Sequence, residues 1–444
     1  MSSIMTQPET AACPAQPAVA ARTLVTRQAI HSAVYTDPGI FEAEMRHVFG
    51  KAWLLIGHES QAPEAGDHFV TTAAGRPVLV VRDRSGKLHA FYNACPHRGA
   101  RLRAQAGVGW PSISCPYHGW TFQLDGAFLS LPAIDEYPEA FRAAPPRLRR
   151  LEAQESYRGF LFVRTKAAGP SLEEFLGPIR DVIDDLVERS PKHELQCKPA
   201  ILRHRYRGNW KLTFENLNDT IHAGFAHAVA ARIASDLVAE TPEQGGDPLI
   251  GLMMANGKPI SFFQGLRMTL GRYGHSYFEA HMPTAYPDEV ASALADSFTA
   301  NGRTPPRGLA AGNDKHLGLL YPNAVWHARY QVVRMVYPIA PDETEVVTLS
   351  FGLVGAPEST YDSARSYCNG SSSAMSPVIT DDLEIYEGIQ ANYRHLTGWH
   401  PITRGLDEDF SSDESARQVR ATSEAFIRNQ YRTWLAYLEA PDHA

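Results

Sequence analysis

Two short loops constrain this chain more tightly than any other feature of its 444 residues. One reads C-P-H-R-G from Cys95 and the other C-P-Y-H-G from Cys115. Each contributes one thiol and one imidazole. Each also has a glycine close behind its histidine, Gly99 or Gly119, where a tight turn needs backbone freedom. The donor formula is Cys95-x-His97, seventeen residues, then Cys115-x2-His118. Zinc is the first competitor, because Cys2His2 is a common zinc shell. Zinc fingers, however, usually pair cysteine with cysteine and histidine with histidine.

One cysteine and one histidine per loop is instead the donor pattern of a Rieske [2Fe–2S] cluster. Two thiolates hold one iron and two imidazoles the other, which raises the potential above that of an all-cysteine cluster. The flanking sequence predicts a β framework to present the loops. Between Trp53 and Thr165, F-V-T-T-A-A, P-V-L-V-V-R-D and L-H-A-F-Y-N read as strands, with Ser85-Gly86 turning between the last two. G-F-L-F-V-R from Gly159 closes the region as a buried strand.

A second metal-type pattern, E-N-L-N-D-T-I-H-A-G-F-A-H over Glu215–His227, follows a helix-like lead-in, R-G-N-W-K-L-T-F. Asp219 and His222 are three apart and share a helix face. His222 and His227 are five apart, about 140° round a regular helix. To aim both rings at one point the helix must widen or break, and Gly224 makes that easier. Two imidazoles and a later carboxylate make a facial triad, which leaves non-haem Fe(II) open positions for oxygen and substrate. With 18 histidines in the chain the pair alone carries little, and the upstream loops give it weight. The carboxylate candidates are Asp381, Asp382 and Glu384, at the start of a helix predicted from D-D-L-E-I-Y-E-G-I-Q-A-N. Acidic residues there also have a plain electrostatic reason, worth ~0.3–1 kcal/mol each against the helix dipole.

Composition narrows the class without naming it. Hydrophobic residues make up 44% and charged ones 20%, as in an ordinary soluble globular protein of two or three domains. A net charge of −7 gives no reason to expect nucleic acid or an acidic membrane surface as partner. No apolar run approaches the roughly 20 residues that span a bilayer. Five cysteines are too few for a disulfide framework, and no Lys or Arg precedes Arg22, so a secretory signal is not read and the cytoplasm is expected. No G-x-G-x-x-G or P-loop occurs, so electrons must come from another protein.

The two loops, N-W-K at Asn209–Lys211 and E-N-x-x-D-x-x-H-x4-H together resemble the large (α) subunit of Rieske non-haem iron aromatic-ring-hydroxylating dioxygenases, from about residue 35 onward. E-S-Y-R-G-F-L-F from Glu155 and P-I-A-P-D-E-T-E-V from Pro338 are most similar to the benzoate and related aromatic-acid branch. Ile221 is a departure, since many relatives have Tyr there, and it is expected near the pocket.

The resemblance implies an α+β fold: a mainly antiparallel β Rieske domain, then a catalytic domain whose large antiparallel sheet is flanked by helices in a helix-grip (START-like) arrangement. Residues 1–20, rich in Ala, Pro, Thr and Gln, read as a disordered arm. Residues 21–50 are expected as a helical segment packing on the catalytic domain, 51–166 as the Rieske domain and 167–444 as the catalytic domain. The resemblance assigns the [2Fe–2S] cluster to Cys95, His97, Cys115 and His118, and the mononuclear Fe(II) to His222, His227 and Asp382, the second Asp of the pair. It makes Asp219 a bridge that hydrogen-bonds His222 and a neighbouring subunit's His118 across a head-to-tail trimer. It further implies a small β subunit (α3β3, or α3 without it) and an NADH-dependent reductase, often acting through a ferredoxin. O2 and an aromatic ring would yield a cis-dihydrodiol or a hydroxylated product. A Rieske monooxygenase or demethylase on another substrate, and an electron carrier only, are the alternatives.

Asn216 and Leu217, one helical turn before Asp219, are candidate pocket residues. A buried substrate carboxylate needs a cation, for which Arg267, Arg272 and Arg334 are available. Ser171 begins a helix with one apolar face. R-H-R-Y-R from Arg203 predicts a strand with three arginines on one solvated or subunit-facing side. Residues 236–315, rich in Gly and Pro, read as long loops over the pocket mouth. Two strong strands, Q-V-V-R-M-V-Y-P-I and E-V-V-T-L-S-F-G-L, suit an antiparallel sheet, and a last helix is expected from Asp413 to about Tyr437.

Overall fold

Around the two loops, the period-two runs become three small antiparallel sheets. His68–Ala73, Arg76–Arg82 and Leu88–Tyr92 form one. Ile113–Ser114, Thr121–Phe122 and Phe128–Ser130 form a second, and Leu54–His58, Phe160–Arg164 and Ala153–Tyr157 a third. This is a computed structural model describing residues 21–282, 286–306, 312–373, 375–409 and 415–439. The arm expected over residues 1–20 lies outside the described residues. Leu79, Val81, Phe91, Ile113 and Phe122 bury both loop cysteines in a core of their own.

The two loops have the same backbone. Cys95 N donates to Ala100 O and Cys115 N to Trp120 O, both at 2.8 Å, and Gly99 N and Gly119 N close back on Cys95 O and Cys115 O. Both glycines are left-handed, at φ +71° and +69°. A Cβ added at Gly99 would meet nothing, so backbone conformation rather than space requires glycine there.

The second half is built on a nine-stranded antiparallel sheet. Its order is Leu195–Cys197, Glu343–Leu353, Val332–Ala340, Ala324–His327, Gly312–Leu320, Ser276–Met282, Arg267–Gly271 and Ala416–Arg420, and Leu202–Tyr206 also pairs with Glu343–Leu353. The two strong apolar runs read from the sequence are neighbours in it, second and third in that order. In Leu202–Tyr206, Arg203 and Arg205 face outward to Glu345 and Glu343, while His204 and Tyr206 are buried. Arg207 lies just past the strand and pairs with Glu387. Among the described residues no helix is long and apolar enough to cross a membrane.

Three expectations need correction. Residues 236–315 are not mainly loop: they hold the helices Pro248–Asn256, Ile260–Gln264 and Asp288–Ala300 and two strands of the sheet. Their prolines and glycines punctuate helices. Asp247 caps Pro248–Asn256 through Leu249 N and Ile250 N, Pro248 opens that helix and Gly257 follows it. The last helix is Ala425–Glu439, because Ala416–Arg420 pairs with Arg267–Gly271 as a strand and Ser423 Oγ then accepts from Ala425 N. Asp413 itself lies outside the described residues. The helix begun by Ser171 is broken by Gly177 and Pro178 into Leu172–Leu176 and Ile179–Glu188.

One buried carboxylate ties three distant segments. Glu44, fully buried, accepts from Lys211 Nζ at 2.6 Å, Trp210 Nε1 at 2.9 Å and Trp434 Nε1 at 2.7 Å. It joins the N-terminal helical stretch to the lead-in helix Trp210–Leu217 and the helix Ala425–Glu439. Burial lowers the pKa of Lys211, and the Glu44 carboxylate opposes that. Removing one member of such a pair strands the other charge and costs about 3–5 kcal/mol. Glu44→Ala is therefore expected to lower the denaturant midpoint markedly, and Glu44→Ala/Lys211→Met to recover part of the loss. An unchanged midpoint for the single variant would contradict this.

Candidate active site

The lead-in helix Trp210–Leu217 starts at Asn209, whose side chain accepts from Lys211 N, and stops at Asn218. Asp219 Oδ1 then accepts from Ile221 N at 2.6 Å and His222 N at 2.9 Å, bending the chain. A single helical turn, Ala223–Ala226, ends at His227, whose backbone (φ −101°, ψ 18°) interrupts the path into Ala228–Glu240. The helix does break, as the five-residue spacing demands. It breaks at His227 itself, while Gly224 sits inside the turn without a left-handed φ.

The break turns both rings onto one carboxylate. His222 and His227 have ring centroids 5.5 Å apart, and their Nε2 atoms lie 3.7 and 3.4 Å from Asp382 Oδ1. Asp382 comes from the first turn of the helix Ile379–Tyr393. Donor atoms of these three residues all lie within 4.8 Å of one another, the only such group among the described residues. Of the other carboxylate candidates, Glu384 is exposed and Asp381 stands behind His227, 3.3 Å from Nδ1. Asn216 Nδ2 donates to Asp382 Oδ1 at 3.2 Å. Burial lowers the pKa of His222, with Asp382 and Asp219 opposing it. Burial pulls His227 the same way, but Asp382 and Asp381 outweigh it and leave its pKa raised. A buried carboxylate facing two imidazoles across this gap suits an octahedral divalent ion with open positions, as Fe(II) requires.

Asp219 departs from expectation in one respect. Its Oδ1 is 3.9 Å from His222 Nδ1, too far for a hydrogen bond, and that nitrogen is buried without a partner. Its Oδ2 is held by Arg404 Nη2 at 2.6 Å. Sequence reasoning missed Arg404, since nothing local connects it to a residue 185 positions away.

At the other centre, Cys95 and Cys115 are buried, unbridged thiols. The rings of His97 and His118 lie 4.7 Å apart, His97 stacks on Trp120, and His97 Nδ1 is buried without a partner. Burial, with the Cys115 thiol beside it, raises the pKa of Cys95, and a cation bound there would favour the thiolate.

The Rieske [2Fe–2S] domain family model matches residues 52–147. The model for the ring hydroxylating alpha subunit (catalytic domain) matches 189–440, more than half of the chain. The chain belongs to the ring-hydroxylating alpha-subunit family. It is 29% identical over 426 residues to the toluate 1,2-dioxygenase alpha subunit of Pseudomonas putida, covering 90% of this chain and 89% of that protein. It is 28% identical over 395 residues to the 2-halobenzoate 1,2-dioxygenase large subunit of Burkholderia cepacia, covering 87% and 82%. Its fold matches naphthalene 1,2-dioxygenase with indole bound at a TM-score of 0.76 and 22% identity, over 94% of each chain. This ring-hydroxylating subunit is thus an oxygenase enzyme, with a Rieske [2Fe–2S] cluster and a mononuclear iron as cofactors.

A cavity opens beside His222, His227 and Asp382, and Asn216 and Leu217 both line it. Much of its apolar wall, Leu252, Phe262, Phe263, Leu266 and Phe278, comes from the stretch read as loop. Ile221 does not line it, although its neighbours Thr220 and His222 do. Arg267 is exposed, Arg272 sits beside Glu174 with 58% of its side chain exposed, and only Arg334 of the three candidates reaches the cavity.

Glu215, just before Asn216, is half-buried and accepts from Tyr35 OH and Tyr431 OH. Burial raises its pKa from 4.5 to about 7, against those hydrogen bonds and Lys211. The folded carboxyl therefore keeps a proton that the unfolded chain releases near pH 4.5, and its contribution to stability falls as pH rises from about 4.5 to 7. The stability of the wild type minus that of Glu215→Gln, from denaturant curves, should decline across this window. A constant difference would contradict the assignment.

Proposed function

We propose that this subunit hydroxylates the ring of an aromatic acid, with the catalytic iron held by His222, His227 and Asp382 and the cluster by Cys95, His97, Cys115 and His118. The observation that carries the reading is the meeting of two imidazoles and one carboxylate at the wall of an apolar cavity that also contains Arg334. Its similarity to a toluate and a 2-halobenzoate dioxygenase supports an acid as substrate. When bound, the two iron centres supply one-electron transfer and dioxygen activation.

The chain's own residues position the rest. Asn216 fixes the Asp382 carboxylate. Asp381 takes the Nδ1 side of His227 and leaves Nε2 facing Asp382, the kind of outer carboxylate that orients a ligand imidazole. The phenylalanine and leucine wall excludes water and holds the ring flat. Asp219 serves as the bridge to the next subunit's His118 in a cyclic trimer, with Arg404 anchoring it. A small β subunit, an NADH-dependent reductase with or without a ferredoxin, and a cytoplasmic setting complete the proposed system. The product is a cis-dihydrodiol or a hydroxylated acid.

Two variants test these roles together, by iron per chain, the EPR signal of the reduced cluster, and single-turnover product. His222→Ala should keep the cluster signal and lose the mononuclear iron and product. Asp219→Asn should keep both metal centres while product falls by about 10–100-fold or more, the usual size for an outer-shell partner. Oxygenation retained by His222→Ala would refute the iron assignment, and normal product from Asp219→Asn would refute the bridge.

A further inference from the structure

We propose that Arg334 is the specificity-determining residue of this oxygenase, the cation that binds the substrate's carboxylate; the inference rests on the aromatic-acid reading above. Arg334 lies on Val332–Ala340, which pairs with Glu343–Leu353 on one side and Ala324–His327 on the other in the large sheet. Successive residues of a strand face opposite sides. Met335 and Tyr337 face a groove shared with Val70 and Thr71 of the Rieske domain, whereas Arg334 lines the cavity that holds His222, His227 and Asp382.

Its environment is what an anion site needs. The residue is only 5% exposed. Nη2 donates to Ser371 O at 3.0 Å and Ser372 Oγ at 2.9 Å, and Nε donates to Ser372 Oγ at 3.2 Å. These bonds fix the plane of the guanidinium from the end of the helix Glu358–Ser372. Nη1 makes no hydrogen bond to the described residues.

Three other buried arginines, Arg164, Arg189 and Arg428, are settled differently. Arg189 pairs with Asp185 and Arg428 with Asp409, and all three terminal nitrogens of Arg164 donate to backbone carbonyls. Arg334 has no carboxylate within 4.0 Å among the described residues. A guanidinium stays charged at any working pH, and leaving that charge buried without a counter-ion is unfavourable. The missing counter-charge is one the ligand brings. A carboxylate oxygen fits against Nη1, whose hydrogens are not taken by Ser371 or Ser372, and polar neighbours on the same wall, Ser371 and Tyr367 (hydrogen-bonded to His327), suit its second oxygen. The phenylalanine-rich wall of the same cavity is left for the ring.

The test compares benzoate with benzamide, which has nearly the same shape and no charge. Both are titrated calorimetrically into the full holo-oxygenase, cluster and iron in place, as wild type, Arg334→Gln and Arg334→Lys. Wild type should bind benzoate more tightly than benzamide. Arg334→Gln should weaken benzoate by about tenfold or more, the size of a lost charge-assisted hydrogen bond, and move benzamide far less. Arg334→Lys, which keeps the charge and loses the fork, should fall between them and serves if the Gln variant does not fold. Cluster absorbance and iron per chain report whether either variant is intact.

Benzoate bound equally well by wild type and Arg334→Gln would overturn the inference while leaving the aromatic-acid reading in place. Equal weakening of benzoate and benzamide would also overturn it, showing a structural role at the end of Glu358–Ser372. A wild type that turns over neutral arenes and no acid would overturn both readings, with the family assignment intact.

Discussion

The molecule is organised around one carboxylate that two imidazoles share. Asp382 Oδ1 faces Nε2 of both His222 and His227, and each ring has a further carboxylate near its other nitrogen: Asp219, out of hydrogen-bond reach, and Asp381. Three donors with so little room between them suit a shared cation, since their negative and lone-pair density otherwise faces itself in a buried space. Much of the local backbone follows from that demand. The helix is interrupted before His222 and again at His227, and the backbone groups freed by the first interruption are taken by Asp219 Oδ1. The helix supplying Asp382 presents it in a first turn, where the dipole already favours a carboxylate.

A site interrupted in this way needs a rigid support, and two hydrogen-bonded carboxyl groups provide it. Glu44 gathers Lys211, Trp210 and Trp434, while Glu215 gathers Tyr35 and Tyr431 one helical turn further on. Both carboxylates connect the lead-in helix to segments far away in the sequence. Asn216 therefore meets Asp382 from a helix held on one side by the N-terminal stretch and on the other by the C-terminal helix.

What the sequence made legible, and what it hid, divides along a physical line. The candidate metal donors show because coordination demands particular residue types at short spacings: Cys95 and His97, Cys115 and His118, His222 and His227. Gly99 shows because its left-handed backbone favours glycine. The strands Val332–Ala340 and Glu343–Leu353 show because their apolar runs are long. Arg404 on Asp219, and Arg334 without a carboxylate beside it among the described residues, are tertiary facts, set by which distant elements meet. The same holds for Ala416–Arg420, a strand only because Arg267–Gly271 lies beside it. Residues 236–315 misled for a different reason: their Gly and Pro mark helix ends, and composition alone does not separate a capped short helix from a loop.

The central claim is that one chain carries a two-iron centre between its loops and a single iron on His222, His227 and Asp382. Anomalous diffraction from crystals of the native protein, recorded at the iron and zinc edges, tests it most directly. The account predicts an iron-edge peak of two metal atoms among Cys95, His97, Cys115 and His118, and a peak of one among His222, His227 and Asp382. Zinc-edge signal at the loops, or a single iron bound through Asp381 in place of Asp382, would contradict it.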